Sequence, residues 1–304
     1  MNKRLAFGLA ILIALCVLAA LSGFVAPHEQ GYSKSIFVDV VKGKEVLVVA
    51  PEAPGKHLLL GSDFWGRDLF SEMVHGLPWT LGIVFLTATS RCLIGLGAGL
   101  VAGSRGRNRL RKRGFSPLSA MPSFIIAAFV LYPITINSPL PPLGLFFVQA
   151  FVLVVVEIAP VAASFGAKTA VLLDKPFVEA ARTAGADRRW IVAHHLLPFI
   201  VVDFIEALPV QALSVAGLVG KLGIVKIFIG GTTRNYDPII HSPARSEWLG
   251  LLGNYYNTMF TEPWLFFAPF VGWLLVLACT ALLASGVRTG YASDRRIASL
   301  SEKG

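Results

Sequence analysis

Runs of about twenty residues without a charge constrain this chain more than any other feature of its sequence. Residues 5–26 and 264–284 are uncharged and almost wholly apolar. A hydrocarbon layer about 30 Å thick is crossed by ~20 helical residues, and within it every backbone N–H and C=O must be satisfied inside the segment. Both runs therefore read as spanning helices. The rest of the chain follows suit: its 304 residues are 55% hydrophobic and 15% charged, with mean hydropathy +0.67. A soluble domain carries about 25% charged residues. That balance excludes a disordered chain and argues against a soluble cytosolic enzyme.

Four more apolar runs lie between these two, at 77–102, 118–136, 143–163 and 196–229. Arg91 sits in the first, Glu157 in the third, and Asp203, Glu206 and Lys221 in the last. Pro139, Pro141 and Pro142 mark a short turn between the second and third, because proline ends helices. The last run exceeds one crossing, so part of it is expected to be re-entrant or interfacial. The amino-terminal run follows Lys3 and Arg4. It is longer than the 7–15-residue apolar core of a signal peptide and reads as a retained helix. The expected fold class is an all-α polytopic membrane protein with about six transmembrane helices.

Lysine and arginine counts in short loops set the orientation. Residues 104–113 hold six cations in ten residues. Lying between two spans, they read as a cytoplasmic stop and not as a nucleic-acid patch. Lys168, Lys175, Arg182, Arg188 and Arg189 follow the fourth run, and Arg288, Arg295 and Arg296 follow the sixth. Six spans with both termini in the cytoplasm (N-in/C-in) place all of these on one side, so much of the formal charge of +9 is topology. Two external segments remain. Residues 28–76 contain β-rich stretches at 36–41 and 45–49 around Lys42-Gly43-Lys44, a small hairpin. Residues 231–262 contain a short helix that Ser246 is placed to cap, at the membrane surface.

The chemistry-bearing residues are few. Cys16, Cys92 and Cys279 are far apart within apolar runs and read as small apolar filler. His28, His57, His75, His194, His195 and His241 show no metal-ligand spacing on one helix. Gly166-Ala167-Lys168-Thr169 and Gly220-Lys221 lack the first glycine of a phosphate-binding loop, so no cofactor is expected on this chain. A charge within a span costs at least about 2.5–3.5 kcal/mol, which makes Arg91, Glu157, Asp203 and Glu206 functional candidates. Asp203 and Glu206, three apart, share a helix face. Two readings stay open: a polar pathway wall touching a peptide amino terminus or metal chelate, or a structural role as an interhelical pair such as Arg91 with Glu157 or a snorkelling position near an interface.

Between the fourth and fifth runs, residues 174–190 read as a short helix with stops. Asp174 is a fair N-cap, Pro176 suits the first turn, and Gly185 suits the left-handed position after the helix. A helix over 175–184 would be about 15 Å long. Glu179-Ala180-Ala181, then Gly185, then Leu197-Pro198, resembles the EAA loop of the binding-protein-dependent ABC importer permeases. His195 stands where that family usually has an aliphatic residue. Leu59-Leu60-Gly61-Ser62-Asp63-Phe64-Trp65-Gly66-Arg67-Asp68 is similar to the LGTDxxGRD segment of the dipeptide/oligopeptide/nickel branch. Glu262-Pro263-Trp264 resembles the PW dipeptide before its last span, while 217–223 match its SFLGLG segment only loosely. With a long external loop after the first span, the resemblance is closest to the second, C-type, subunit.

The resemblance implies a type I importer permease fold and a division into three parts. Residues 1–76 would form the first span and external loop, 77–290 a core of five spans with a coupling helix near 175–185, and 291–304 a cytoplasmic tail. It implies further that Glu179, Ala180, Ala181 and Gly185 couple to an ATPase. The implied partners are a second homologous permease subunit, two ATPase subunits carrying ATP and Mg, and an extracellular solute-binding protein. The implied location is the inner membrane of a prokaryote, and the implied cargo is peptides, with nickel or an opine-type chelate as alternatives. A proton-coupled secondary transporter using Asp203, Glu206 or Glu157 is the competing class; a membrane-embedded enzyme finds no nucleophile–base pairing in support.

Overall fold

The structure is a computed structural model that describes residues 3–41, 44–55, 58–104, 121–236 and 239–301. The cationic loop at 105–113, the stretch 115–120, the Lys42-Gly43 turn and His57 lie outside the described residues. In chain order the elements are α1 (Lys3–Ala20), α2 (Ser22–Val25), β1 (Ile36–Val41), β2 (Lys44–Val49) and α3 (Leu69–Ser104). Then come α4 (Ser123–Thr135), α5 (Pro142–Leu173), α6 (Pro176–Thr183) and α7 (Arg188–Ile191). A π-helical turn (Val192–Leu196) runs directly into α8 (Leu197–Ile224). The strands β3 (Thr232–Tyr236) and β4 (Ile239–Pro243) and the helices α9 (Trp248–Asn254) and α10 (Pro263–Ser301) complete the chain.

Five helical segments are long and apolar enough to cross a membrane: α1, α3, α5, residues 192–224 and the first part of α10. The sixth expected span is the shorter α4, with 13 residues. Its expected start at 118–120 lies outside the described residues; it follows Pro122 at the N-cap, and it stops where Ile136 turns extended and bridges to Thr232. In α3 and α5 the helices outrun the apolar runs, starting at Leu69 instead of 77 and ending at Leu173 instead of 163. The extensions carry Glu72, His75 and Lys168, which an apolar count does not register.

Contacts between helix ends fix the up–down order. Leu5 abuts Gly286, and Arg188 donates to the Ser104 carbonyl. The amino terminus, the far end of α3, the α6–α7 segment and the far part of α10 thus share one face. On the opposite face Trp264 Nε1 donates to Ser62 O at 3.3 Å, and Asn137 pairs through its amide with Arg234 N and O at 2.8 and 3.1 Å. That second face carries both hairpins. The expected one pairs β1 with β2 from Ile36↔Val49 to Val41↔Lys44. The second, β3 with β4 from Thr232↔Pro243 to Tyr236↔Ile239, is absent from the sequence reading. Its signal was present in Thr232-Thr233-Arg234-Asn235-Tyr236 ahead of Asp237-Pro238.

Helix packing rests on close approach. Gly95, Gly99 and Gly103 form a stripe at four-residue spacing along α3, and the Val161–Thr169 part of α5 lies against it. A methyl group at Gly99 would come within 2.6 Å of Phe165 Cβ and 2.9 Å of Ala162 O. Small residues allow this proximity, and dispersion then does what the hydrophobic effect cannot do between helices in lipid. The main apolar core joins α3, α4, α5 and α8 through Ile83, Leu131, Leu153 and Val219. A second packs α1, α3, α9 and α10, and a third sits under α6. Outside these cores Phe129, Phe147, Phe151, Val155, Val271 and Leu275 are exposed, an apolar exterior far larger than a water-soluble monomer carries.

The end of α8 shows how the chain leaves a span. Lys226 adopts φ +62°, and Ile227 N and Lys226 N bond back to Leu222 O and Gly223 O at 3.0 and 2.9 Å. Glycine normally holds this left-handed position. Here the lysine ammonium reaches Asn254 O at 3.0 Å and caps the carbonyl end of α9, which offsets the backbone cost. The buried turn at 227–231 is held by Gln149, whose Nε2 donates to Phe228 O at 2.9 Å and whose Oε1 accepts from Gly230 N at 2.9 Å. The helix runs unbroken from Leu197 to Ile224, and the end of the long apolar run at 196–229 is accounted for by this buried turn.

Candidate functional site

The segment singled out by sequence folds as a rigid elbow. The α6 helix spans eight residues, about 12 Å, instead of the ten expected. Its N-cap is Lys175 and no side chain bonds there, so Asp174 does not cap it. Pro176 occupies the first turn, where its missing N–H costs nothing. At the other end Gly185 takes φ +87°. Gly185 N bonds to Arg182 O and Ala186 N to Ala181 O, both at 3.0 Å, the reciprocal pattern that stops a helix at glycine. Two residues on, Asp187 Oδ1 accepts from Trp190 N at 2.8 Å and starts α7. Two helices thus meet across a turn with little freedom.

One side chain anchors the elbow. Val178 is fully buried among Val161, Phe165, Ile191, Leu196 and Ile200. Phe177, Glu179, Ala180, Arg182 and Gly185 are exposed, and Ala181 is half-buried. Glu179, Ala180 and Gly185 thus occupy the outer surface of the elbow while Val178 plugs it into the base of α5 and α8. Beside it opens a cleft of about 550 Å³ lined by Phe177, Ala181, Ala184, Gly185, Trp190 and His195, among others. His194 stacks on Trp190 at 4.7 Å and His195 meets the same ring edge-on at 5.0 Å. The histidine at the position where an aliphatic residue is usual therefore serves as an aromatic wall. His195 belongs to the π-helical turn and lines the cleft.

Two ion pairs join charges on the spans. Arg91 is fully buried on α3, and its Nη1 reaches Glu157 Oε2 on α5 at 2.6 Å. Its Nε and Nη2 both donate to Leu153 O, at 3.0 and 2.6 Å. Glu157 also accepts from Ser123 Oγ at 2.6 Å and Ser214 Oγ at 2.8 Å. One carboxylate therefore ties α3, α4, α5 and α8 together. Nearer the elbow, Lys168 Nζ lies 2.7 Å from Asp203 Oδ1, joining α5 to α8. Glu206 is half-buried and, among the described residues, makes no side-chain hydrogen bond or ion pair.

On the opposite face two motifs 200 residues apart in the chain converge. Asp63 Oδ1 accepts from Trp65 N and Arg67 N at 2.9 and 2.8 Å, and Gly66 supplies the left-handed residue at φ +72°. Arg67 then bridges Asp63 at 2.8 Å and Glu72 at 3.0 Å. Asp68 caps α3 through Ser71 N at 3.1 Å and Phe70 N at 3.2 Å, and it pairs with His28. Tyr255 donates to Asp63 at 3.2 Å, Ser246 to Glu72 at 3.0 Å, and Trp264 to Ser62 O. Ser246 is thus no helix cap; Glu247 takes that place and accepts from Leu249 N at 2.9 Å. Burial pushes the Glu247 carboxyl up to about 8, against the lowering effect of the Leu249 and Gly250 amides. Cys16, Cys92 and Cys279 are free thiols, and among the described residues no group of His, Cys, Asp or Glu converges to hold a metal ion.

The family described as binding-protein-dependent transport system inner membrane component matches residues 95–297, two-thirds of the chain and the whole elbow. The chain belongs to this family. The permease is 24% identical over 243 residues to the dipeptide transport system permease protein DppC of Alkalihalophilus pseudofirmus, covering 78% of this chain and 72% of that one. It is 25% identical over 286 residues to the peptide transport system permease protein SapC of Escherichia coli, covering 93% and 86%. It is 27% identical over 253 residues to the oligopeptide transport system permease protein OppC of Haemophilus influenzae, covering 80% and 72%. The family places this permease in a membrane as a multi-pass transport subunit, in accord with its five long apolar helices.

Proposed function

We propose that this permease is one of two homologous transmembrane subunits of an ATP-driven importer for di- and oligopeptides or related small solutes. The cargo is delivered by an extracellular solute-binding protein, and ATP with Mg is bound and hydrolysed on two separate ATPase chains. The elbow carries this reading. Glu179, Ala180 and Gly185 are presented outward while Val178 is locked into α5 and α8, which suits a part that takes force from one protein and passes it to two spans. Closure of an ATPase dimer against this surface would rotate the bases of α5 and α8 together. Moving such a two-state gate from 1:99 to 99:1 requires about 5.5 kcal/mol of differential binding. The names of the relatives support a peptide cargo and a C-type place beside a second permease.

The charge pairs weigh against Glu157 and Asp203 as proton carriers of a secondary transporter; Glu206 is not engaged by them. Both Glu157 oxygens are engaged by Arg91 and two serines, and Asp203 is neutralised by Lys168. The test is uptake into proteoliposomes holding the complete complex. Glu179→Lys and Gly185→Trp are each expected to abolish ATP-dependent uptake while the protein still inserts and α1–α10 stay folded. A methyl group at Gly185 would meet nothing within 4 Å, so the defect would lie in docking or in the turn, not in the core. Normal uptake in both variants would refute the coupling role.

A further inference from the structure

A second concavity runs along the inner part of α5 and α8, between the two charge pairs. Its volume is about 350 Å³, and its polar lining is Glu157, Ser164 and Lys168 from α5 with Asp203, Gln211 and Ser214 from α8. The α5 contributors run from Glu157 to Lys168, eleven helical steps, so the groove is about 16 Å long. It starts at the Arg91–Glu157 hub and ends beside the elbow. Lys168 and Asp203 are 44% and 26% exposed, and Glu157 is 19% exposed. A lipid-facing wall would make these charges costly, so the groove faces water or a polar partner. Packing it against another subunit would bury the Lys168–Asp203 pair, whose desolvation the pairing repays poorly.

The chemistry of the lining is specific. Each charge is balanced by a neighbour: Glu157 by Arg91, Asp203 by Lys168. Ser214 is committed to Glu157. Between the two pairs, Gln211 and Ser164 make no side-chain hydrogen bond among the described residues. A carboxamide offers both donors and an acceptor, and a hydroxyl offers one of each, which matches a peptide unit in either chain direction. A bare divalent cation would find no uncompensated ligand set, and an anion no uncompensated charge. Building on the importer reading above, we infer that this groove is a main-chain subsite for the translocating solute. Gln211 and Ser164 hydrogen-bond its amide groups, and the balanced charges select net-neutral, amide-bearing cargo.

The test uses the complete transporter in proteoliposomes, with Cys16, Cys92 and Cys279 replaced by alanine and a single cysteine introduced by Ser164→Cys or Gln211→Cys. Both positions are expected to react with a charged, membrane-impermeant methanethiosulfonate present on both sides, and trialanine should slow the reaction. Val155→Cys, on the far side of α5, should not react. Gln211→Leu is expected to raise the KM for trialanine roughly 2- to 10-fold, more than it lowers the maximal rate, with partial recovery in Gln211→Asn. Silence at both cysteines would mean a packed subunit interface, and reaction only with an uncharged, lipid-soluble maleimide would mean a lipid-facing wall. Labelling that trialanine does not slow, in vesicles that still take up trialanine, would remove the subsite and leave the importer reading intact. Absence of ATP-driven trialanine uptake in the cysteine-free parent would sink the peptide-importer reading and this inference with it.

Discussion

Replacing Glu157 by leucine should be the most damaging single change within the spans, and the structure says why it should exceed its mirror image. The Arg91 guanidinium is fully buried, and among the described residues Glu157 is its sole charged partner. Removing the carboxylate leaves a buried cation with only the Leu153 carbonyl to satisfy it, and Ser123 and Ser214 lose their acceptor. Breaking a buried pair from one side costs about 3–5 kcal/mol. Arg91→Leu leaves a different residue behind. Glu157 keeps two hydroxyl donors and touches the groove, so this loss should be nearer 1–3 kcal/mol. With both residues replaced by leucine no charge is stranded, and stability should return to within about 2 kcal/mol of the parent. Unfolding of the four proteins by dodecyl sulfate in mixed micelles measures the cycle. If the two single losses simply add in the double variant, or if Arg91→Leu is the worse of the two, the hub does not hold the four helices as described.

Other consequences are narrower. Gly99→Ala should cost about 1–3 kcal/mol, because its methyl group meets the Ala162 carbonyl and Phe165 across a helix contact. Gly97→Ala, where nothing lies within 4 Å, should be neutral or stabilising by up to about 1 kcal/mol; equal effects in a thermal-stability assay would refute the packing argument. Glu247, raised to about 8 from an ordinary 4.5, is stabilised in its protonated form. Its contribution is therefore complete below pH 4.5 and is lost as the pH rises to about 8. Glu247→Gln keeps the acceptor for Leu249 N but cannot ionise, so between pH 5 and 9 its melting temperature should fall less than that of the parent. Parallel pH curves would show that this carboxyl does not titrate in the fold.

Local physics made much of this protein legible from its residues. A run such as 264–284 has one solution in a membrane, a helix, whatever surrounds it. Pro176 and Gly185 bracket a helix because one lacks an N–H and the other tolerates a positive φ. The β1–β2 hairpin followed from its β-rich stretches on either side of Lys42-Gly43-Lys44. Boundaries set by other parts of the chain were not legible. Ser246 is the better cap in isolation, but its hydroxyl is taken by Glu72, arriving on α3, and Glu247 accepts from Leu249 N instead. Asp174 lost its expected role to Lys175 because a cap depends on backbone direction where α5 ends. The extensions of α3 and α5 were missed because a helix continues through polar residues once it has left the hydrocarbon.

What the sequence determined by itself was the class of object: a basic, charge-poor chain made of spans, with a short stopped helix between the fourth and fifth. Each of those properties is written in consecutive residues. What only the tertiary structure decided was which charges meet. Arg91 and Glu157 are 66 positions apart, Lys168 and Asp203 are 35 apart, and Trp264 reaches a carbonyl 202 positions away. A periodic pattern can show that a residue lies on a helix and on which side, but not which other helix faces it. That pairing depends on where glycine lets two backbones approach and where a buried charge must find its opposite.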